Sequence, residues 1–197
     1  MDPVEVIEYK GINIEVIPDE NTESPDEWGD DGIFLVGFHR EFTVKRDGFG
    51  QDVVGELLES RKKSYGKYWV FGLEAYIHSG VALALASEGN FPDRQWDVSL
   101  LGMVFVSKKH WKTRAEAKKG AEGLIESWND YLGGNVYGFD IPEIGESVWG
   151  FYGDYNESGG LVDEAKGMID SYLEHKRQEK IKKTKALIKN KVGLSYR

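Results

Sequence analysis

The chain has 197 residues, of which 40% are hydrophobic and 13% aromatic, and its formal net charge at pH 7 is −9. A chain of this length and composition can bury a core that folds without a disulfide or a structural metal. Because the sequence contains no cysteine, disulfide frameworks and cysteine-ligated zinc sites are excluded.

Charge is distributed unevenly along the chain. Residues 1–175 contain 16 Lys and Arg against 33 Asp and Glu, a net charge of −17, whereas residues 176–197 contain nine against one, a net charge of +8. We therefore predict a single α+β domain over residues 1–175 and a basic C-terminal helical extension over residues 176–197. Generic binding to nucleic-acid phosphates is disfavoured for the acidic body and stays possible for the tail.

The first half of the chain has mainly the pattern of β-structure. Alternating apolar residues over 4–17, interrupted by Lys10 and Gly11, predict a hairpin, and residues 18–32, with seven carboxylates and no Lys or Arg, predict a loop. Residues 33–38 form a predicted strand, and residues 51–65 a short helix. Two strand-like runs over 68–78 and 81–87 predict a second hairpin, followed by a loop over 90–97.

The second half combines helices with strands. Residues 98–107 are a predicted strand, and Thr113 and Glu116 form a capping box before an amphipathic helix over 114–132. Strands over 135–141 and 147–153 follow, and a last helix begins near Leu161. This pattern predicts an α+β fold, with a mostly antiparallel sheet, a capped amphipathic helix and a long C-terminal helix.

The apolar stretches are too short to cross a membrane. The longest of them, residues 81–86 and 100–106, fall far below the ~20 residues that span a bilayer. Residues 1–5 also lack the basic and apolar regions of a signal peptide. We therefore expect a cytoplasmic protein with no membrane partner.

Polar residues at the predicted strand ends form the candidate ligand-binding site. His39 and His78 each close an apolar strand, where a scaffold presents functional groups. The alternative for each histidine is a half-buried ring that is satisfied by a backbone carbonyl. The set that we predict to converge on one cleft is His39, Arg40, His78, Trp96, Asp97, Ser99 and Tyr137.

Aromatic residues around strand glycines indicate what such a cleft could bind. The segments 135–139 and 147–153 each repeat aromatic-Gly-aromatic, and Tyr137 and Phe139 share one face of a strand, as Trp149 and Phe151 are predicted to do. One pair must be core, and the other, with Trp96, could stack an aromatic base. The alternative is that both pairs fill the core on two faces of the sheet.

Motifs for catalysis, metals and cofactors are weak. His78, Asp97 and Ser99 could be drawn as a hydrolase triad, but no Gly-x-Ser-x-Gly motif is present. No spacing of histidines or carboxylates is typical of a metal site, and no glycine-rich phosphate loop occurs. We predict no metal and no cofactor.

Several blocks in fixed order carry a family resemblance. They are Phe38-His-Arg40, Tyr76-Ile-His-Ser-Gly80, residues 96–102, residues 131–138 and residues 147–153. With these blocks the chain resembles an uncharacterised family of accessory proteins encoded by bacteriophages and integrative elements. The family has no settled activity, so the resemblance implies a setting and no catalytic residue.

The resemblance implies an accessory protein that acts on the host cell and counters its defences. We expect a non-catalytic protein that binds a nucleotide-like small molecule. One alternative is an inhibitor that binds a host defence protein or a nucleic-acid-processing complex, including acidic mimicry of nucleic acid. A second alternative is a small hydrolase that uses His78 or His39.

The tail has a narrow apolar stripe that a purely solvated helix would not need. Its members are Ile181, Thr184, Leu187, Ile188 and Val192. A stripe flanked by lysines indicates docking on an acidic surface of the same chain or of a second subunit, and a homo-oligomer through residues 176–197 is the corresponding expectation. The alternative is a solvated helix.

Overall fold

The computed structural model describes residues 2–28, 32–78, 80–89, 91, 97–157 and 160–194, with side chains as far as residue 188. In chain order the elements are β1 (Glu5–Tyr9), β2 (Ile12–Pro18), β3 (Ile33–His39), β4 (Phe42–Val44), α1 (Gln51–Ser60), β5 (Ser64–Tyr65), β6 (Tyr68–Ile77), β7 (Val81–Leu85), β8 (Val98–Ser107), α2 (Arg114–Gly133), β9 (Val136–Ile141), β10 (Glu146–Tyr152) and α3 (Leu161–Leu194). Antiparallel sheets with separate helices confirm the predicted α+β class.

The chain divides into two compact units, each with its own sheet and core. The terminal unit contains residues 1–19 and 137–197, and the central unit contains residues 20–136. The sequence pattern had predicted one domain over residues 1–175. The division arises because β2 pairs with β9, so the two ends of the chain share a sheet while the segment between them builds another core.

The terminal unit has a four-stranded sheet in the order β1-β2-β9-β10. Lys10 and Gly11 both have positive φ, 53° and 78°, as a type I′ turn requires, which confirms the predicted hairpin. One face of the sheet packs on the first half of α3. The buried residues of this core are Ile12, Ile14, Val16, Phe139, Ile141, Leu161, Val162, Ala165 and Ile169.

The aromatic residues of β10 are not arranged as predicted. Phe151 packs on Phe139 with ring centroids 5.9 Å apart, whereas Trp149 is 48% exposed and lies over Gly138, where a Cβ would be 2.2 Å from its ring. The prediction that Trp149 and Phe151 share a face was wrong. Gly150, with a φ of 85°, interrupts the alternation of β10 between them.

The central unit has a six-stranded sheet in the order β4-β3-β8-β6-β5, with β7 also paired to β6. Its α2 face carries the core that packs on α2, and its α1 face carries the core that packs on α1. Buried strand residues of the α2 face are Leu35, Phe42, Val44, Phe71, Leu73, Ala75, Leu83, Leu85, Leu101, Val104 and Val106. Those of the α1 face are Phe34, Val36, Val70, Met103 and Phe105.

Helix α2 confirms the prediction of a capped amphipathic helix over residues 114–132. The Thr113 hydroxyl accepts a hydrogen bond from the Glu116 N–H at 3.2 Å, and the Glu116 carboxylate accepts one from the Thr113 N–H at 3.1 Å. Ala117, Ala121, Ile125 and Trp128 are buried against the sheet, and Leu124 packs beside them. The helix ends at Gly133, and Gly134 is the left-handed C-cap.

Helix α1 ends earlier than the sequence predicts. It spans Gln51–Ser60 instead of residues 51–65, because Arg61 adopts the left-handed conformation and Ser64 and Tyr65 pair with β6. The short helix buries Val54 and Leu57 on one part of the α1 face. Beyond the end of α1, where the middle of β6 pairs with the end of β7, part of that face is uncovered, and Leu100 there is 56% exposed.

Helix α3 begins at Leu161, as predicted, and its 34 residues extend about 51 Å. Its first half packs in the core of the terminal unit. Every described side chain from Glu174 to Ile188 is exposed. None of the helices in the described part of the chain is long and apolar enough to cross a bilayer.

Candidate functional site

His78 and Asp97 are the two predicted site residues that the structure brings together. His78 follows β6 and Asp97 precedes the neighbouring strand β8, and their Nδ1 and Oδ2 atoms are 3.9 Å apart. The His78 ring lies 6.2 Å from the Tyr76 ring, which stacks on Phe91 at 5.6 Å. These side chains form a partly aromatic cluster at one end of the sheet.

His39 does not join this cluster. Strands β3 and β6 are both antiparallel to β8, so they end at the same edge of the sheet. His39 pairs with Phe42 of the α2-face core, however, while Tyr76 and the ring of His78 beside it lie on the α1 face. A single cleft lined by both histidines is therefore not formed.

His39 and Arg40 are engaged in a local turn. The His39 Nδ1 accepts a hydrogen bond from the Glu41 N–H at 3.2 Å, and the Arg40 Nε donates to the Glu41 carboxylate at 3.1 Å. The Arg40 side chain is 84% exposed. Their contacts stabilise the β3–β4 connection.

Ser99 lies on the wrong face to act with His78. It pairs with Ala75 of the α2-face core, so it is on the side opposite Tyr76. An acyl-transfer triad needs the hydroxyl and the imidazole within hydrogen-bond reach of each other. The strand register does not provide that arrangement for Ser99 and His78.

The structure does not join the two aromatic members of the predicted site to His78. Trp96 lies outside the described residues. Tyr137 belongs to the terminal unit, where its ring is 4.9 Å from the ring of Tyr155 in an edge-on contact. The Tyr155 hydroxyl in turn donates to the Glu5 carboxylate at 2.9 Å, which raises the pKa of Tyr155.

A different site lies on the uncovered part of the α1 face. It is a cleft of about 440 Å³ between the end of α1, strand β6 and the segment after β7, which we call the basic cleft. Its cations are Arg61, Lys62, Lys63 and Arg114, and its other lining residues are Leu57, Leu58, Val70, Gly72, Ala86, Ser87, Leu100 and Met103. No carboxylate is among these lining residues, although the chain is strongly acidic.

The end of α1 supplies three of the four cations. Arg61 is the helix C-cap with a φ of 50°, so the chain turns sharply and residues 61–63 all line the cleft. The Lys62 ammonium lies 2.9 Å from the Glu56 carboxylate, and both side chains are largely exposed. Such an exposed pair contributes little and can exchange for another anion.

Arg114 is held in place beside the segment that follows α1. Its Nη1 donates to the carbonyl oxygens of Lys63 at 2.8 Å and Val70 at 3.0 Å, and its guanidinium lies 4.1 Å above the ring of Phe71. Burial lowers the pKa of Arg114 from its ordinary value, but a guanidinium remains charged at neutral pH. The protein therefore keeps a fixed positive charge beside an apolar floor.

At the floor of the cleft, two backbone segments approach closely and an apolar side chain is exposed. A Cβ at Gly72 would be 2.9 Å from the Cβ of Ala86, so β6 and the segment after β7 approach closely here. Leu100 is 56% exposed although it lies on the sheet. An exposed leucine beside four cations is suited to a ligand that has both an anionic and an apolar part.

Two of the three non-glycine residues with positive φ in the described part of the chain line this cleft. They are Arg61, with a φ of 50°, and Ser87, with a φ of 69°. Glu74, which is 4% exposed, fixes the segment that contains Ser87 by accepting hydrogen bonds from the N–H groups of Ser87 at 2.9 Å and Gly89 at 3.2 Å. Strained backbone that surrounding contacts hold in place is frequent at binding sites.

The sequence contained one signal for the basic cleft. Arg61, Lys62 and Lys63 are consecutive cations within an acidic body, but they were included in the predicted helix over 51–65 and given no role. No sequence pattern indicated Arg114, because its contact with residue 63 depends on how α2 packs on the sheet.

No group of His, Asp and Glu side chains among the described residues is arranged to hold a metal ion. Comparisons of the chain with protein-family models, with curated proteins and with solved structures found no match.

Proposed function

We propose that this protein is a non-catalytic binding protein for an anionic, nucleotide-like small molecule, and that the basic cleft is its binding site. The single observation that carries the proposal is the convergence of four cations on one apolar-floored cleft of an acidic chain. Phosphate oxygens are the ligands that such a set of Arg and Lys donors recognises. Leu100 and the floor around Gly72 then contact the less polar part of the ligand.

The side chains of the cleft favour binding over chemistry. Ser87 is the one hydroxyl among its lining residues, and these residues include no histidine or carboxylate that could act as a base. The nearby Glu74 carboxylate accepts the backbone N–H groups of Ser87 and Gly89. The hydrolase alternative is not favoured by the register that separates Ser99 from His78. In the setting that the family resemblance implies, the protein would hold a phosphorylated signal of the host and thereby counter host defence.

The test is to identify what the protein retains. The purified protein is incubated with the small-molecule fraction of extracts from bacteria before and after phage infection, washed and denatured, and the released molecules are identified by mass spectrometry. We expect a phosphorylated compound to be released. A complex with a host protein and no released compound would favour the alternative of an inhibitor.

Matched variants locate the site. Arg61→Asn with Lys63→Gln removes two cleft charges, and Asn tolerates the left-handed conformation at position 61. Lys45→Gln with Lys119→Gln removes the same charge from exposed positions elsewhere. Charge-assisted hydrogen bonds contribute about 1.5–3 kcal/mol each, so the cleft variant should bind the compound at least about tenfold more weakly than the control.

A second variant tests the apolar wall. Leu100→Trp should fill the basic cleft without disturbing the buried core, since Leu100 is already largely exposed. We expect it to lose the compound while its thermal stability stays unchanged. Equal retention by the cleft variants, the filled variant and the control would show that the compound binds elsewhere and would refute the proposed site.

A further inference from the structure

The second half of α3 is a helix whose described side chains are exposed. Ile181, Leu187 and Ile188 are 37%, 64% and 57% exposed, and the side chains around them are exposed as well. Residues 176–194, which we call the basic tail, contain eight Lys and Arg and one Glu. Most of the stability of a helix in a protein comes from packing of its apolar face, so the basic tail is suited to a partner surface that is acidic and partly apolar.

A groove of that kind lies in the central unit between β7 and α2. It has a volume of about 350 Å³, and its apolar floor includes Leu83, Leu85 and Ile125. Glu88, Glu122, Glu126 and Asp130 line it, and no Lys or Arg is among its lining residues. We call it the acidic groove.

The rim of the acidic groove already binds an ammonium group. Lys118 lies 3.0 Å from the Glu88 carboxylate and 3.3 Å from the Glu122 carboxylate, and these hydrogen bonds raise its pKa. The three glutamates of the groove, Glu88, Glu122 and Glu126, outnumber Lys118 and give the groove an excess of negative charge. Further ammonium groups can therefore be accommodated beside Lys118.

The groove of the terminal unit fits the basic tail less well. It is larger, about 610 Å³, and includes Met168 and Tyr172, but it carries two carboxylates, Glu146 and Glu164, together with His175. The charge difference favours the acidic groove of the central unit. That groove follows α2 from Glu122 to Asp130, about 12 Å, which is shorter than the basic tail.

We propose that the basic tail of one chain docks in the acidic groove of a second copy of the chain. The charges select the groove, and Ile181, Leu187 and Ile188 contribute the burial that holds the contact. The partner is a second copy because this one sequence carries both the basic tail and a groove of opposite charge. Asn129 already bonds the backbone of Leu83 at this edge, and the helical tail docks through its side chains.

The oligomeric mass of the full chain tests this inference through reciprocal charge reversal. Light scattering is recorded over a range of protein concentrations at low and high salt for the wild type, for Glu122→Lys with Glu126→Lys, for Lys182→Glu with Lys183→Glu, and for the variant that combines all four changes. We expect a wild-type dimer that weakens at high salt, at least about tenfold weaker association in each reversed pair, and restored association in the combined variant.

Two controls separate this groove and this mechanism from their alternatives. Glu20→Lys with Glu27→Lys makes the same change of charge in the acidic segment after β2, where both side chains are exposed, and it should leave the mass unchanged. Ile188→Ser keeps the charge and should weaken association through lost burial.

Several outcomes would overturn the inference. They are a wild type that is monomeric at every concentration, a dimer that depends on Glu20 and Glu27 instead of Glu122 and Glu126, and a combined variant that does not recover. Binding of a short DNA or RNA duplex by a monomeric protein through Lys182 and Lys183 would assign the basic tail to nucleic acid and would likewise overturn it.

Discussion

The side-chain amide of Asn129 makes the two hydrogen bonds with the backbone of Leu83 that a neighbouring strand could otherwise make. Its Oδ1 accepts a hydrogen bond from the Leu83 N–H at 2.7 Å, and its Nδ2 donates to the Leu83 carbonyl at 3.0 Å. Strand β7 is paired on its other side to β6. One residue of α2 therefore satisfies the backbone groups of Leu83, in the middle of an edge that could pair with a strand of another chain.

Asn129→Ala should destabilise the protein by about 1–3 kcal/mol, because it leaves two partly buried backbone groups without this partner. The exposed edge should also increase aggregation on heating. Urea denaturation and light scattering during a thermal ramp measure the two effects. Ser127→Ala on the same helix removes only an exposed hydroxyl contact and should stay within about 0.5 kcal/mol of the wild type. Equal stability of the two variants would contradict the role of Asn129.

Trp128→Ala should cost about 3–5 kcal/mol, because the indole is 3% exposed and contacts Phe42 edge-on at 5.4 Å in the α2-face core. Trp149→Ala is the matched control, since that indole is 48% exposed on the terminal unit. Urea denaturation of both variants checks the prediction. A larger loss from the Trp149 variant would be inconsistent with the packing described.

Glu74→Ala should loosen the segment after β7, because the carboxylate accepts the N–H groups of Ser87 and Gly89. We expect faster hydrogen exchange at these two amides and a loss of about 1–3 kcal/mol of stability. Glu74→Gln keeps one acceptor oxygen and should be milder. Glu88→Ala changes an exposed acid in the same segment. If it accelerates exchange at Ser87 and Gly89 as much as Glu74→Ala does, the anchoring role fails.

The capping box of α2 should contribute a pH-dependent term to stability. Hydrogen bonds from the Thr113 backbone and hydroxyl lower the pKa of Glu116 below its ordinary value of 4.5. A carboxyl group with a lowered pKa in the folded state stabilises the protein above its ordinary pKa, and that contribution is lost as the pH falls through the folded-state pKa.

The melting temperature of the wild type minus that of Glu116→Gln should therefore decrease from pH 6 to pH 3, about the range over which a glutamate titrates. Glu126→Gln removes the same charge from α2 outside the capping box and serves as the control. A difference for Glu116→Gln that stays constant with pH, or that follows the control, would contradict the prediction.

The sequence by itself determined the features that depend on neighbouring residues. The Lys10–Gly11 hairpin, the capped helix α2 and the burial of Trp128 were predicted correctly, because turn conformation, capping and helical periodicity act over a few residues. The end of α1 was placed too late, since no Gly or Pro marks position 61 and a left-handed arginine ends the helix.

Only the tertiary structure decided which side chains meet. The pairing of β2 with β9 divides the chain into two units, and the register of β3, β8 and β6 places His39 and His78 on opposite faces. The basic cleft likewise brings Arg61 at the end of α1 together with Arg114 at the start of α2. Strand pairing between distant segments is set by which faces can be buried together, and that free energy depends on the whole core, which local sequence patterns do not contain.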